Sequence, residues 1–126
     1  MAGLTYDSGA LIAGERSDRR LWAIHVRALQ RGVLPVVPAV ILAQAWRGGP
    51  QHSLARLLGG CQVEPLLDGP ARDVGVALTR SGTSDVSDAS VVVSALSRRD
   101  AVVTTDRADL EHIAQALGRR LNLIAV

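Results

Sequence analysis

A chain of 126 residues fits one compact domain spanning residues 1–126, and 48% hydrophobic against 21% charged residues excludes a disordered, solvating polymer. Nine Asp and three Glu face fourteen basic residues, all of them Arg, giving a formal charge of +2; this permits nucleic-acid contact, does not demand it, and excludes chemistry that needs a Lys ammonium. The single cysteine, Cys61, excludes an intrachain disulfide or a Cys-based zinc site, and His25, His52 and His112 lack ligand spacing.

In chain order, Leu4-Thr5-Tyr6 reads as a short strand ending at Asp7, with a helical turn from Ser8 to Gly14. Asp18 is placed to cap a helix through Gln30, whose apolar positions recur at helical spacing until Gly32. Val33 to Val37 reads as a second strand; Pro38 then suits the first turn of a helix from Ala39 to Trp46. After the break at Arg47-Gly48-Gly49-Pro50, a helix runs from Gln51 to Leu58 and a third strand from Gln62 to Leu66. Pro70 opens a helix to about Leu78, Val86 to Ser97 forms the next, and Ala101 to Thr105 is a β-branched strand. A helix from Arg107 to Leu117 and a strand from Leu121 to Val126 complete the chain. The alternation predicts an α/β fold: a parallel four- or five-stranded sheet with helices on both faces. No apolar run of about 18 residues or targeting segment is seen, so a cytoplasmic location without a membrane span is expected.

Five aspartates recur at equivalent places. Asp7 ends the first strand, Asp106 follows "AVVTT", Asp109 lies one helical turn on, and Asp85 and Asp88 open the helix leading into that strand. In a parallel sheet, strand C-termini and crossover-helix N-termini share one edge, where open α/β sheets bind ligands. Each Asp taken singly also reads as a helix cap. Their conjunction reads differently, because like charges gathered together repel unless a cation joins them, and oxygen ligands suit Mg²⁺ or Mn²⁺. A phosphoacceptor module or a haloacid dehalogenase-type hydrolase fits poorly, since both need a Lys and an early acid pair.

"TYDSGALIA", "VPAVILAQAWRGG", "SDVSDASVVVSA" and "AVVTTDRADL" together resemble the four motifs of the PIN domain, in its VapC-like toxin branch, in the family's order. That resemblance spans residues 3 to 126. It implies a Mg²⁺- or Mn²⁺-dependent endoribonuclease that hydrolyses RNA phosphodiesters, a cognate antitoxin protein as partner, and a homodimer. Carried onto this chain, Asp7, Asp88 and Asp106 match catalytic, metal-holding acids, and Asp85 is a frequent additional ligand. Ser8, Thr104, Thr105 and Asp109 match positions that orient ligands or waters, and Arg47 and Arg107 are candidates for RNA contact. Trp22 and Trp46 are read either as base-stacking surfaces or as packing residues. The departure is Gln44, which stands where the family usually has Glu and supplies a carbonyl oxygen but no charge. It supports an alternative: a catalytically weak or inactive PIN-like domain acting as a binding or interaction module.

Overall fold

A computed structural model describes residues 3–126. Five short strands, β1 (Leu4–Tyr6), β2 (Val36–Pro38), β3 (Gln62–Glu64), β4 (Ala101–Thr104) and β5 (Asn122–Ala125), form one sheet in the order β3-β2-β1-β4-β5. Every strand pair is parallel. Seven helices alternate with them: α1 (Ser8–Glu15), α2 (Arg19–Gln30), α3 (Ala39–Ala45), α4 (His52–Gly59), α5 (Asp68–Ser81), α6 (Val86–Arg98) and α7 (Arg107–Ala116). The expected architecture is thus met, with five strands. Helix α1 packs with α2, α3 and α4, while α5, α6 and α7 pack on one another.

The local sequence explains most element ends. Asp18 caps α2 by accepting from the Leu21 amide at 2.9 Å. Gly82 takes the left-handed conformation that closes α5, a backbone state that costs glycine least. The expected strand at Val33 to Val37 begins three residues later and includes Pro38, which accepts this place because it ends the strand and leads directly into α3. The third and fifth strands are shorter than expected. Both are sheet edges, and Gln62, Val63, Asn122 and Ala125 are exposed, so no buried face extends them. Helix α5 starts at Asp68, two residues before Pro70, and runs three residues beyond Leu78.

The core is aliphatic, built on Leu11, Leu21, Val37, Ile41, Leu54, Leu57, Val102 and Val103, all at most 1% exposed. Each such leucine contributes about 2 kcal/mol of burial. Tyr6 and His25 bring a polar pair into this core. The Tyr6 hydroxyl and His25 Nδ1 are 2.9 Å apart, and Trp22 meets the His25 ring edge-on. Trp22 therefore packs against the core, where it also lies beneath the Arg56 guanidinium, while Trp46 is 44% exposed.

Arg98 is not a free surface charge, though an Arg near a helix end reads as one. Its guanidinium pairs with Glu64, with Asp100 at 3.0 Å, and with the hydroxyls of Ser94 at 2.8 Å and Thr5 at 3.1 Å. One cation thus ties the end of α6 to β1 and β3 and neutralises two carboxylates.

Candidate metal centre

The register brings the acids together. Leu4 pairs with Ala101 and Tyr6 with Val103, so β1 and β4 are neighbours and Asp7 and Asp106 emerge at the same sheet edge. From β1 the chain proceeds to β2 and β3 on one side, then crosses to β4 and β5 on the other. The ends of β1 and β4 therefore flank a topological switch point, the crevice where such sheets bind ligands. Asp85 and Asp88, at the start of α6, lie close enough to join the field: Asp85, Asp109, Asp7 and Asp106 all raise the proton affinity of Asp88.

Asp7 is buried and has two roles in view. One carboxylate oxygen accepts from the Ala10 amide at 2.8 Å, capping α1; the other accepts from the Thr104 hydroxyl. Burial pushes the Asp7 carboxyl above the usual carboxylate range, against the pull of the Thr104 and Ala10 hydrogen bonds, and the Asp106 charge adds to the rise. Asp88 is pushed up to about 6, first by burial and then by the four neighbouring acids. Asp109 is raised by a hydrogen bond and repulsion from Asp106. Asp85 caps α6 by accepting from the Asp88 amide at 3.0 Å, whereas Asp106 makes no side-chain cap to α7.

Among the described residues none of these five acids forms a salt bridge. The contrast with Glu64 is instructive. Thr5 is in register with Val36, and Val36 with Gln62, so Glu64 stands at the same sheet level as Asp7, yet it is spent on Arg98. The five aspartates carry mutual repulsion that no arginine salt bridge relieves among the described residues. Their oxygens suit a hard divalent cation, which keeps several waters and takes only one or two protein carboxylates directly. Among the described residues no three His, Cys, Asp or Glu stand close enough together to hold an ion, so an ion here would be met partly through water.

The companions divide. Thr104 bridges the site, giving a hydrogen bond to Asp7 and accepting one from the Asp106 amide at 2.9 Å. Thr105 is exposed and instead covers Gly9; Ser8 is half-buried at the start of α1. Gln44 is exposed on α3, and no hydrogen bond joins it to the acids. Arg47 turns back on its own helix, bonding the carbonyls of Ala43 at 3.3 Å and Trp46 at 3.0 Å. Arg107 sits near Glu111, at 3.5 Å.

Sequence reasoning missed Gly9. A Cβ there would collide with Thr105 Oγ1 and stand 3.1 Å from Thr105 Cβ and 3.2 Å from its amide nitrogen. Glycine lets the first turn of α1 lie against the end of β4, which holds Asp7 beside Asp106. The signal was the Asp-Ser-Gly order itself, glycine inside a helix start where it costs stability relative to alanine. Gly9→Ala is expected to destabilise the fold by about 1–3 kcal/mol, with Thr105→Ala recovering part of it in a double-mutant cycle followed by urea unfolding.

The tertiary structure has solved counterparts. A chain of VapBC2 from Rickettsia felis, crystallised bound to a DNA fragment from its promoter, superposes with a TM-score of 0.72 at 12% identity, covering 98% of each chain. The Salmonella typhimurium VapBC crystallised on DNA matches at 0.68 and 19% identity, over 99% of this chain and 98% of that one. The fold is PIN-like. PAE2754 from Pyrobaculum aerophilum shares it at 0.65 and 17% identity, over 97% of this chain and 83% of that chain. No family model matches the sequence, and no curated protein matches it. At such identities the PIN-like likeness is one of fold. Among the described residues no helix is long and apolar enough to cross a membrane.

Proposed function

We propose that this protein is a Mg²⁺- or Mn²⁺-dependent endoribonuclease, the toxin of a VapBC-type toxin–antitoxin pair. The observation that carries the reading is the group of five aspartates without basic partners at the switch point of a PIN-like sheet. Two of the structural neighbours are VapBC proteins crystallised on DNA, which supports the antitoxin partner.

Asp7, Asp88 and Asp106 would hold the ion, with Asp85 as a further acceptor. Asp7 is suited to the central place: its two hydrogen bonds fix the carboxylate and leave each oxygen a lone pair. Thr104 keeps Asp7 and the Asp106 backbone in one frame. A bound divalent ion supplies an activated water and stabilises charge on the phosphate. Asp109, one helical turn on from Asp106, would orient water. The substrate is RNA, the working state is a homodimer, and the site of action is the cytoplasm. Arg107 remains a candidate to meet the RNA backbone by leaving Glu111, because an exposed pair of this kind is worth under about 1 kcal/mol.

The test uses purified protein freed of antitoxin, incubated with total RNA and Mg²⁺ or Mn²⁺ beside Asp7→Asn and Asp88→Asn. Metal-dependent cleavage by the wild type alone supports the assignment; equal cleavage by all three, or none by any, overturns it. Gln44 favours the second reading, a catalytically weak domain acting through binding, since it offers no charge. Gln44→Glu is expected to tighten Mn²⁺ binding severalfold by isothermal titration; unchanged affinity places residue 44 outside the site.

A further inference from the structure

We infer that His112 is a positioning residue that sets the gap between the two acid-bearing helices, an inference resting on the metal reading above. The five aspartates come from separate elements; α6 and α7 pack on one another, and the turn that opens α6 needs a separate hold at the acid-bearing end. His112 supplies a link. Its Nε2 lies 2.8 Å from the carbonyl oxygen of Ser81, the last residue of α5. A carbonyl only accepts, so Nε2 carries the proton and donates. Carbonyls at a helix C-terminus lack intrahelical partners and carry partial negative charge, which makes Ser81 a good acceptor.

Both ends of this link lie close to acids. On α7, His112 is three residues after Asp109, so the two share a face. On the other side, Ser81 is four residues before Asp85. The intervening turn is itself tied down. The Gly82 and Thr83 amides both donate to the Leu78 carbonyl, at 3.0 and 3.2 Å, and the Ser81 and Thr83 hydroxyls are 2.8 Å apart. The Ser81 hydroxyl also donates to Ala77 at 2.8 Å. The His112 bond thus anchors a stiff turn that ends at the Asp85 cap of α6. Pulling that turn toward α7 holds Asp85 and Asp88 opposite Asp106 and Asp109, against the repulsion between the pairs. Asp7 is held independently, by Ala10 and Thr104.

The experiment compares wild type, His112→Leu, which keeps bulk without the donor, and His112→Gln, whose amide reaches a similar place. Metal-free hydrogen exchange is read at the Thr83 and Asp88 amides, and Mn²⁺ affinity by calorimetry. His112→Leu should speed exchange at both amides about fivefold, as loss of one hydrogen bond implies, and weaken Mn²⁺ binding about tenfold, as for other groups that orient metal ligands. His112→Gln should restore both to within about twofold on the same reasoning. Amides in α2 should not change. Unaltered exchange in His112→Leu overturns the tether; faster exchange with wild-type Mn²⁺ affinity overturns its role in placing the acids. A wild type that binds no Mn²⁺ overturns the metal reading and the placement role together, while the exchange arm still decides the tether.

Discussion

Asp88→Asn should make the metal-free protein more stable while removing its activity. At neutral pH the Asp88 carboxylate is ionised, half-buried and faced by four other acids, and its folded-state pKa is raised to about 6 from an ordinary value of 3.8. A raised carboxylate binds its proton more tightly folded than unfolded, so its charged form costs stability. The cost is full above about pH 6, shrinks as the pH falls and is gone near the unfolded value of 3.8. Asparagine removes the charge at every pH. Solvent screening at this partly exposed position leaves an expected rise in Tm of about 3 °C at pH 7.5. That gain should disappear near pH 4. Differential scanning calorimetry across this range in chelator-treated buffer checks it; an equal gain at both ends would show that charge is not the cause. Cleavage should fall roughly a hundredfold or more. Saturating Mn²⁺ should raise the wild-type Tm more than that of Asp88→Asn, since the variant offers the ion one carboxylate fewer to neutralise.

Asp7 separates two functions that one side chain combines. Asp7→Asn keeps an oxygen to cap α1, because Asn is as good a cap as Asp, and its amide can donate to Thr104. Asp7→Ala loses both hydrogen bonds. Both variants should lose cleavage roughly a hundredfold or more, because both lack the central carboxylate. Only Asp7→Ala should also lose folding stability through the cap, about 1 kcal/mol. The loss is partly offset because a buried carboxyl, raised by desolvation, is removed with it. Urea unfolding of the three proteins, set beside their rates on one RNA, gives the comparison. If the Asn variant retains cleavage, Asp7 is a structural cap and the metal centre lies elsewhere; if Ala unfolds no more readily than Asn, the cap contributes nothing.

These outcomes connect stability with function. Asp7 and Asp88 face other acids at the open edge of the sheet, whereas Glu64, level with Asp7 in the sheet, and Asp100, just beyond α6, are neutralised by Arg98. The same fold therefore neutralises Glu64 and Asp100 with one arginine and leaves the five aspartates without a salt bridge among the described residues. A binding module with no ion to hold would gain by losing that repulsion, which is why the calorimetric comparison bears on function as well as on stability.

The sequence by itself determined the alternation of strands and helices, the aliphatic core and the positions of all five aspartates at element ends. These are local properties: a period of hydrophobic residues, a β-branched run such as Val102-Val103-Thr104, and an acid at a helix start are legible within a few neighbours. It also left Asp7 balanced between capping a helix and holding a metal, and the structure keeps the cap while adding Thr104 and the neighbouring acids. Tertiary structure alone decided what depends on contacts across the chain. The pairing of β1 with β4 joins residues about a hundred positions apart, and it is this pairing that makes Asp7 and Asp106 neighbours. The same holds for Arg98, which reaches Thr5, and for Arg47, a candidate for RNA contact in sequence that bonds back to the end of α3. Gly9 and His112 belong here as well: one is needed because β4 lies against it, the other because α5 ends beside it. Patterning along the chain reports which face is buried, but not which residue stands opposite; register and helix packing set that, and with it which acids stay uncompensated.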